Sequence, residues 1–227
     1  MHVRPSHLIL ITAAAFACQA ANLSALSGRV VDQTGATVAN ASVVWWAMPT
    51  PVETPRGLAP ALPQPTALGH AVTDGSGQFQ VSGLQNGIYG VCVTSLAKPS
   101  HLSTCEWRNQ AVTVAVSDAA APLNLAVQDG AVLTFQISDA KGRLTLQNTS
   151  VIVSAAGGGF AHARITSLTP TSAMLTVSVP FDSDIAVVLQ APGPVSDANG
   201  AAVPLGVPAM MMTISSEVSK TVILTVN

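Results

Sequence analysis

The sequence predicts an all-β chain of two tandem Greek-key β-sandwich domains behind an export signal, on three observations. Apolar and polar residues alternate with period two in run after run, as in Leu133-Thr134-Phe135-Gln136-Ile137 and Leu175-Thr176-Val177-Ser178-Val179. Short turns carrying Asp and Gly separate the runs, and the second half of the chain restates the first. Alternation puts Val, Ile, Leu and Phe on one face of each strand and Thr, Ser and Gln on the other, as two packed sheets require. Beyond the N-terminus, no segment sustains helical spacing.

At the N-terminus, Arg4 and two histidines precede an apolar run from Leu8 to Ala17 that ends in small residues. The run is about half the ~20 residues that a bilayer span requires, so residues 1–20 read as a secretory signal peptide. Ala15-Phe16-Ala17 places Phe where a lipobox wants a small residue, which argues against a lipoprotein through Cys18. No second long apolar run follows, so no transmembrane segment is expected. The expected location is extracellular, periplasmic or at the cell surface.

The first sandwich is expected over residues 21–128. Ser27 to Val43 (SGRVVDQTGATVANASV) reads as strand, turn, strand, and Ala71 to Val93 (AVTDGSGQFQVSGLQNGIYGVCV) as a second strand pair. Between them, residues 48–68 hold six prolines. Proline cannot donate to a ladder and favours extended conformation, so this stretch predicts an exposed loop. The second sandwich is expected over residues 129–227, because Val30 to Gly35 finds its echo in Ile137 to Gly142, and Asn40 to Val43 in Asn148 to Val151. Further on, Phe79 to Ser82 parallels Leu175 to Ser178, and Ile88 to Val93 parallels Asp184 to Leu189.

The turns follow one formula, seen in Asp32 to Gly35, Asp74 to Gly77, Asp139 to Gly142 and Asp197 to Gly200. Asp opens each by hydrogen-bonding the main chain, and Gly closes it by accepting a positive φ. They lack the spaced carboxylates and terminal Glu of a calcium loop, so no metal is expected there.

Composition excludes whole classes of function. Hydrophobic residues make up 48% of the chain, too many for a disordered protein. Nine basic against 11 acidic residues give no field to attract nucleic acid. Removal of the signal leaves two cysteines, Cys92 and Cys105, which in an exported protein read as a disulfide contributing ~3 kcal/mol.

Signatures of catalysis are missing: no Gly-x-Ser-x-Gly, no His-Glu-x-x-His, no Ser-x-x-Lys and no glycine-rich phosphate loop. His70, His101 and His162 are scattered and lack a second ligand at metal spacing, while Asp182 and Asp184 read as turn solvation. Met210, Met211 and Met212 cannot converge on one ion, because consecutive strand residues point to opposite faces. No cofactor is expected, and the chain reads as a non-enzyme. The candidate binding residues are Trp45, Trp46 and Trp107. Alternation sends one indole of the Trp45–Trp46 pair toward the core and the other outward, where it could stack on a sugar or anchor a protein.

Gly28-Arg29-Val30, Asp32 to Gly35, Thr73-Asp74-Gly75-Ser76-Gly77-Gln78-Phe79 and Leu84 to Tyr89 together resemble the carboxypeptidase regulatory-like domain, clearly over residues 27–97 and weakly over 130–227. The Pro-Gly that usually precedes its second strand is here Ala39-Asn40. The resemblance implies a transthyretin-like (Ig-like) sandwich that is non-catalytic and occurs fused to peptidases, receptors and bacterial surface proteins. Cys92 followed by Cys105-Glu106-Trp107 also resembles secreted bacterial members. The expected role is a binding or interaction scaffold with a protein or glycan partner. The alternatives are a structural or adhesive subunit self-associating through strand edges, and a carbohydrate-binding module using Trp45 and Trp46.

Overall fold

The computed structural model describes residues 23–48, 68–95, 98–107, 111–117 and 121–227. The expected signal peptide, Cys18 and residues 49–67 of the Pro-rich stretch lie outside the described residues.

Seven strands occupy the N-terminal half: β1 (Leu23–Asp32), β2 (Ala41–Ala47), β3 (Leu68–Val72), β4 (Gln78–Gln85), β5 (Gly87–Ser95), β6 (Val112–Val116) and β7 (Leu123–Val127). They form two sheets, ordered β4-β1-β7 and β3-β2-β5-β6, and β7 returns parallel to β1. Ten more follow: β8 (Ala131–Asp139), β9 (Ser150–Ala155), β10 (Phe160–His162), β11 (Arg164–Thr169), β12 (Ser172–Val179), β13 (Ser183–Gln190), β14 (Val195–Asp197), β15 (Ala202–Val203), β16 (Pro208–Ile214) and β17 (Ser219–Val226). Their sheets run β11-β12-β8-β17-β14-β15 and β10-β9-β13-β16, with β17 parallel to β8. The protein is all-β, with two sandwiches in tandem.

Both halves follow one plan. The order β12-β8-β17 matches β4-β1-β7, and β10-β9-β13-β16 matches β3-β2-β5-β6; β11, β14 and β15 are additions. Sequence echoes fall on matching strands: Asp32 and Asp139 end β1 and β8, and Val43 and Val151 lie in β2 and β9.

Period two becomes burial directly. On β8, Ala131, Leu133, Phe135 and Ile137 are buried while Gln136 and Ser138 face water. Leu175, Val153, Ile185, Val187 and Leu224 meet them from other strands of the C-terminal half. The N-terminal core gathers Leu26, Val30, Val43, Phe79, Tyr89, Val91 and Val127. Each such side chain contributes about 1.5–3 kcal/mol on burial.

The Asp turns hold the hairpins in shape. Asp32, Asp74 and Asp197 each accept main-chain N–H bonds from the residues two and four positions on, at 2.8–3.0 Å. Gly35, Gly77, Gly142 and Gly200 take φ of 69–85°, which a Cβ would strain. Asp139 accepts the equivalent bonds from Lys141 and Arg143 and adds a two-point contact with the Arg143 guanidinium at 2.9 and 3.0 Å. That guanidinium holds the Asp139 carboxyl well below the usual carboxylate range.

Candidate functional site

Cys92 and Cys105 form the expected disulfide, with Cα atoms 5.0 Å apart. Cys92 is buried on β5, and hydrogen bonds reinforce the crosslink on either side. Thr104 N–H donates to the Val93 carbonyl at 2.8 Å, Val93 N–H donates to the Thr104 hydroxyl at 2.6 Å, and the Thr94 and Ser103 hydroxyls meet at 3.0 Å. Residues 103–105 are thereby fastened to the first sandwich.

Flanking residues are fastened to the second. Leu102 and Trp107, each 3% exposed or less, belong to the C-terminal core. Trp107 bridges to Gly159, and Phe160 N–H donates to the Glu106 carbonyl at 3.2 Å. Upstream, the Ser178 hydroxyl donates to the Pro99 carbonyl. Gly130 N–H donates to the Ser100 carbonyl and Leu102 N–H to the Gln128 carbonyl, both at 2.8 Å. A Cβ on Gly130 would sit 2.3 Å from the Val179 carbonyl oxygen and 2.6 Å from Leu102 Cδ2, so only glycine lets the linker pass so close. Asp129 ties these parts together, with Lys98 Nζ at 2.9 Å, the Ser100 hydroxyl at 3.0 Å and Gln33 Nε2 at 3.3 Å.

Residues 98–107 therefore act as a clasp, crosslinked to the first sandwich and plugged into the second. Leu102 and Trp107 lie within the residues 21–128 expected for the first sandwich, and their side chains are buried members of the other core. The apolar gain of burying an indole decides which side the segment packs on.

Against this clasp opens a cleft of about 160 Å³. Its walls come from the clasp (His101, Ser103, Glu106) and from the second sandwich (His162, Arg164, Ser178). Burial pushes the Glu106 carboxyl above the usual carboxylate range, against the pull of the Arg164 charge, the Ser103 hydroxyl and His162. Burial also lowers the pKa of His101, with Lys98 adding to the shift and Asp129 opposing it. Beside His162, the exposed Phe160 ring makes an edge contact with the imidazole, 6.0 Å between centroids and 74° between planes. Each of these side chains looked isolated in the sequence; the fold joins them. Among the described residues, no group of three His, Cys, Asp or Glu side chains is placed to hold a metal ion.

The tryptophans separate. Trp45 packs against the N-terminal core and meets Tyr89 edge-on at 6.0 Å, and its Nε1 is buried with no partner among the described residues. Trp46, opposite Gly90 across β5, lies on the other face. A Cβ on Gly90 would fall 2.2 Å from its indole, so the missing side chain makes its seat. The expectation of three binding tryptophans is thus corrected for Trp107, which is a core plug with 3% exposure. Trp46 alone combines an outward-facing strand position with exposed apolar neighbours, Leu68 and Ile88. On β16, Met210 and Met212 pack inward and Met211 is 68% exposed, as alternation requires. Asp182 takes a φ of 51° just before β13, and Asp184 accepts the Thr213 hydroxyl at 2.7 Å.

No family model matches the chain, and no curated protein does. Among solved structures, the chain is similar to a streptococcal ancillary pilin at 14% identity and a TM-score of 0.41, covering 91% of this chain and 63% of that one. It is also similar to the minor pilin GBS52 of Streptococcus agalactiae, at 10% identity and a TM-score of 0.38, covering 90% and 96%. A third similarity is to the Bacillus anthracis TIE protein, at 10% identity and a TM-score of 0.34, where the chain covers 34% of that protein's length. No helix among the described residues is long and apolar enough to cross a membrane.

Proposed function

We propose that the protein is an exported, non-catalytic scaffold of the bacterial envelope or exterior, whose two sandwiches are held in one fixed orientation to present a binding site at their joint. The single observation that carries this reading is the clasp: one short segment is crosslinked to the first sandwich by Cys92–Cys105 while Leu102 and Trp107 sit in the second core. A flexible tether would need none of these contacts. The disulfide supports export, and the likeness of residues 27–97 to the carboxypeptidase regulatory-like domain supports a non-catalytic role.

The reading is tested by backbone ¹⁵N relaxation. In the oxidised protein both sandwiches should tumble with one correlation time. In the Cys92→Ser/Cys105→Ser variant carrying Leu102→Ala, the two should separate. Independent tumbling in the oxidised parent would refute the scaffold.

A second reading, assembly through strand edges, is favoured by β16. Among the described residues this strand pairs only with β13; it carries no charge along Pro208–Ile214 and exposes Met211. Open uncharged edges template the addition of another strand. A concentration-independent monomer in sedimentation would remove this reading.

A further inference from the structure

We infer that the cleft between the clasp and the second sandwich is a binding site for a neutral saccharide ring, an assignment that rests on the reading of the joint as the binding site. The cleft sets one carboxylate, Glu106, against one guanidinium, Arg164, with no direct ion pair between them. Glu106 and Arg164 offset one another in net charge, so a carboxylate and a guanidinium are both present and neither stands alone to select an ion of the other sign. What the cleft offers instead is hydrogen-bonding capacity of both senses. Glu106 accepts, Arg164 presents donors in a planar fork, and the hydroxyls of Ser103, Thr176 and Ser178 do either. A ligand rich in hydroxyls, each both donor and acceptor, matches that mixture better than a carboxylate or an ammonium.

Shape and apolar surface point the same way. The volume of about 160 Å³ suits a single small ring rather than a chain. Phe160, 57% exposed, stands at a steep angle to His162 and puts an exposed aromatic surface beside that cleft residue. A pyranose has a C–H face that packs on an aromatic ring while its equatorial hydroxyls reach polar groups to the side. Val177 at the cleft wall adds a second apolar contact. In a chain with only 9% charged residues, Glu, Arg and His facing one another at the joint are more than an ordinary solvated surface. The walls come from the clasp and the second sandwich, so the placing of Glu106 against Arg164 depends on how the clasp is seated in the second core.

The test is saturation-transfer NMR on the oxidised full chain with methyl glycosides of glucose, galactose, mannose and N-acetylglucosamine, alongside glycylglycine as a zwitterionic probe. At least one glycoside should bind. Glu106→Gln and Arg164→Met should each weaken it by about ten-fold or more. Phe160→Ala should weaken it less, and Trp46→Ala should leave it unchanged. Thermal melts of the variants confirm that each is folded, and the exposed Arg164 provides a variant outside the core. Silence from every glycoside overturns the inference. Preferential binding of glycylglycine, lost in the same variants, overturns the ligand class while the joint survives as a site. Loss of glycoside binding in Trp46→Ala, with Glu106→Gln unaffected, moves the sugar to the outer face of β2 and overturns the site itself.

Discussion

Replacing Trp107 by Ala should destabilise the second sandwich, although Trp107 follows a cysteine tethered to the first. Its side chain is 3% exposed within the C-terminal core, and emptying such a position costs about 3–5 kcal/mol. The indole Nε1 is buried with no partner among the described residues, so its removal returns about 1–3 kcal/mol. The net expectation is about 2 kcal/mol, or roughly a 10 °C fall in Tm for a sandwich of this size. Trp107→Phe deletes the same unpaired donor while keeping much of the ring volume, and should lie within about 1.5 kcal/mol of the parent. Calorimetry gives the magnitude, and hydrogen exchange locates it. Peptides over β9 and β13 should lose protection in Trp107→Ala, while those over β1 and β4 keep theirs. Unchanged exchange over β9 and β13, with loss confined to β1 and β4, would refute the clasp.

Gly90→Ala should cost about 1–3 kcal/mol, because its Cβ would lie 2.2 Å from the Trp46 indole and the ring must shift. Gly75→Ala, with nothing within 4 Å, is the matched control, and equal melting temperatures for the two variants would sink the account of the Trp46 seat. Asp139→Asn should destabilise the protein at neutral pH and progressively less in acid. The folded-state pKa of Asp139 is depressed by Arg143, so its contribution is complete above the unfolded value and drains as pH falls below about 4. A stability gap between parent and variant that persists undiminished at pH 2 would contradict that pairing.

The strands and the Asp turns were legible because their causes are local. Alternation at Leu133, Phe135 and Ile137 needs only the pleat of a single strand. The Asp32 turn likewise closes within a few residues, from Asp32 to Ala36. The disulfide was legible from cysteine count and compartment. The joint was not legible, since Trp107 meets Gly159 and Pro99 meets Ser178 across long separations that periodicity cannot see. His101, Glu106, His162 and Arg164 looked unrelated for the same reason. One signal was present: Trp107, a large apolar group that gains by burial, lies two residues beyond a cysteine expected to be crosslinked.

The features that distinguish the first half, the disulfide and its neighbouring Trp107, gain their meaning from the second half. A crosslink 13 residues apart in sequence shortens only a small loop, and its worth to the first sandwich alone is about 3 kcal/mol. That sandwich already has its own closed core without Leu102 or Trp107. The second core does not, because both side chains are among its buried members. The crosslink therefore acts at a distance: by fixing where residues 103–105 leave β5, it sets where Trp107 enters the neighbouring core and where Glu106 faces Arg164. Two sandwiches of one plan are thus joined through a segment that only the first copy carries.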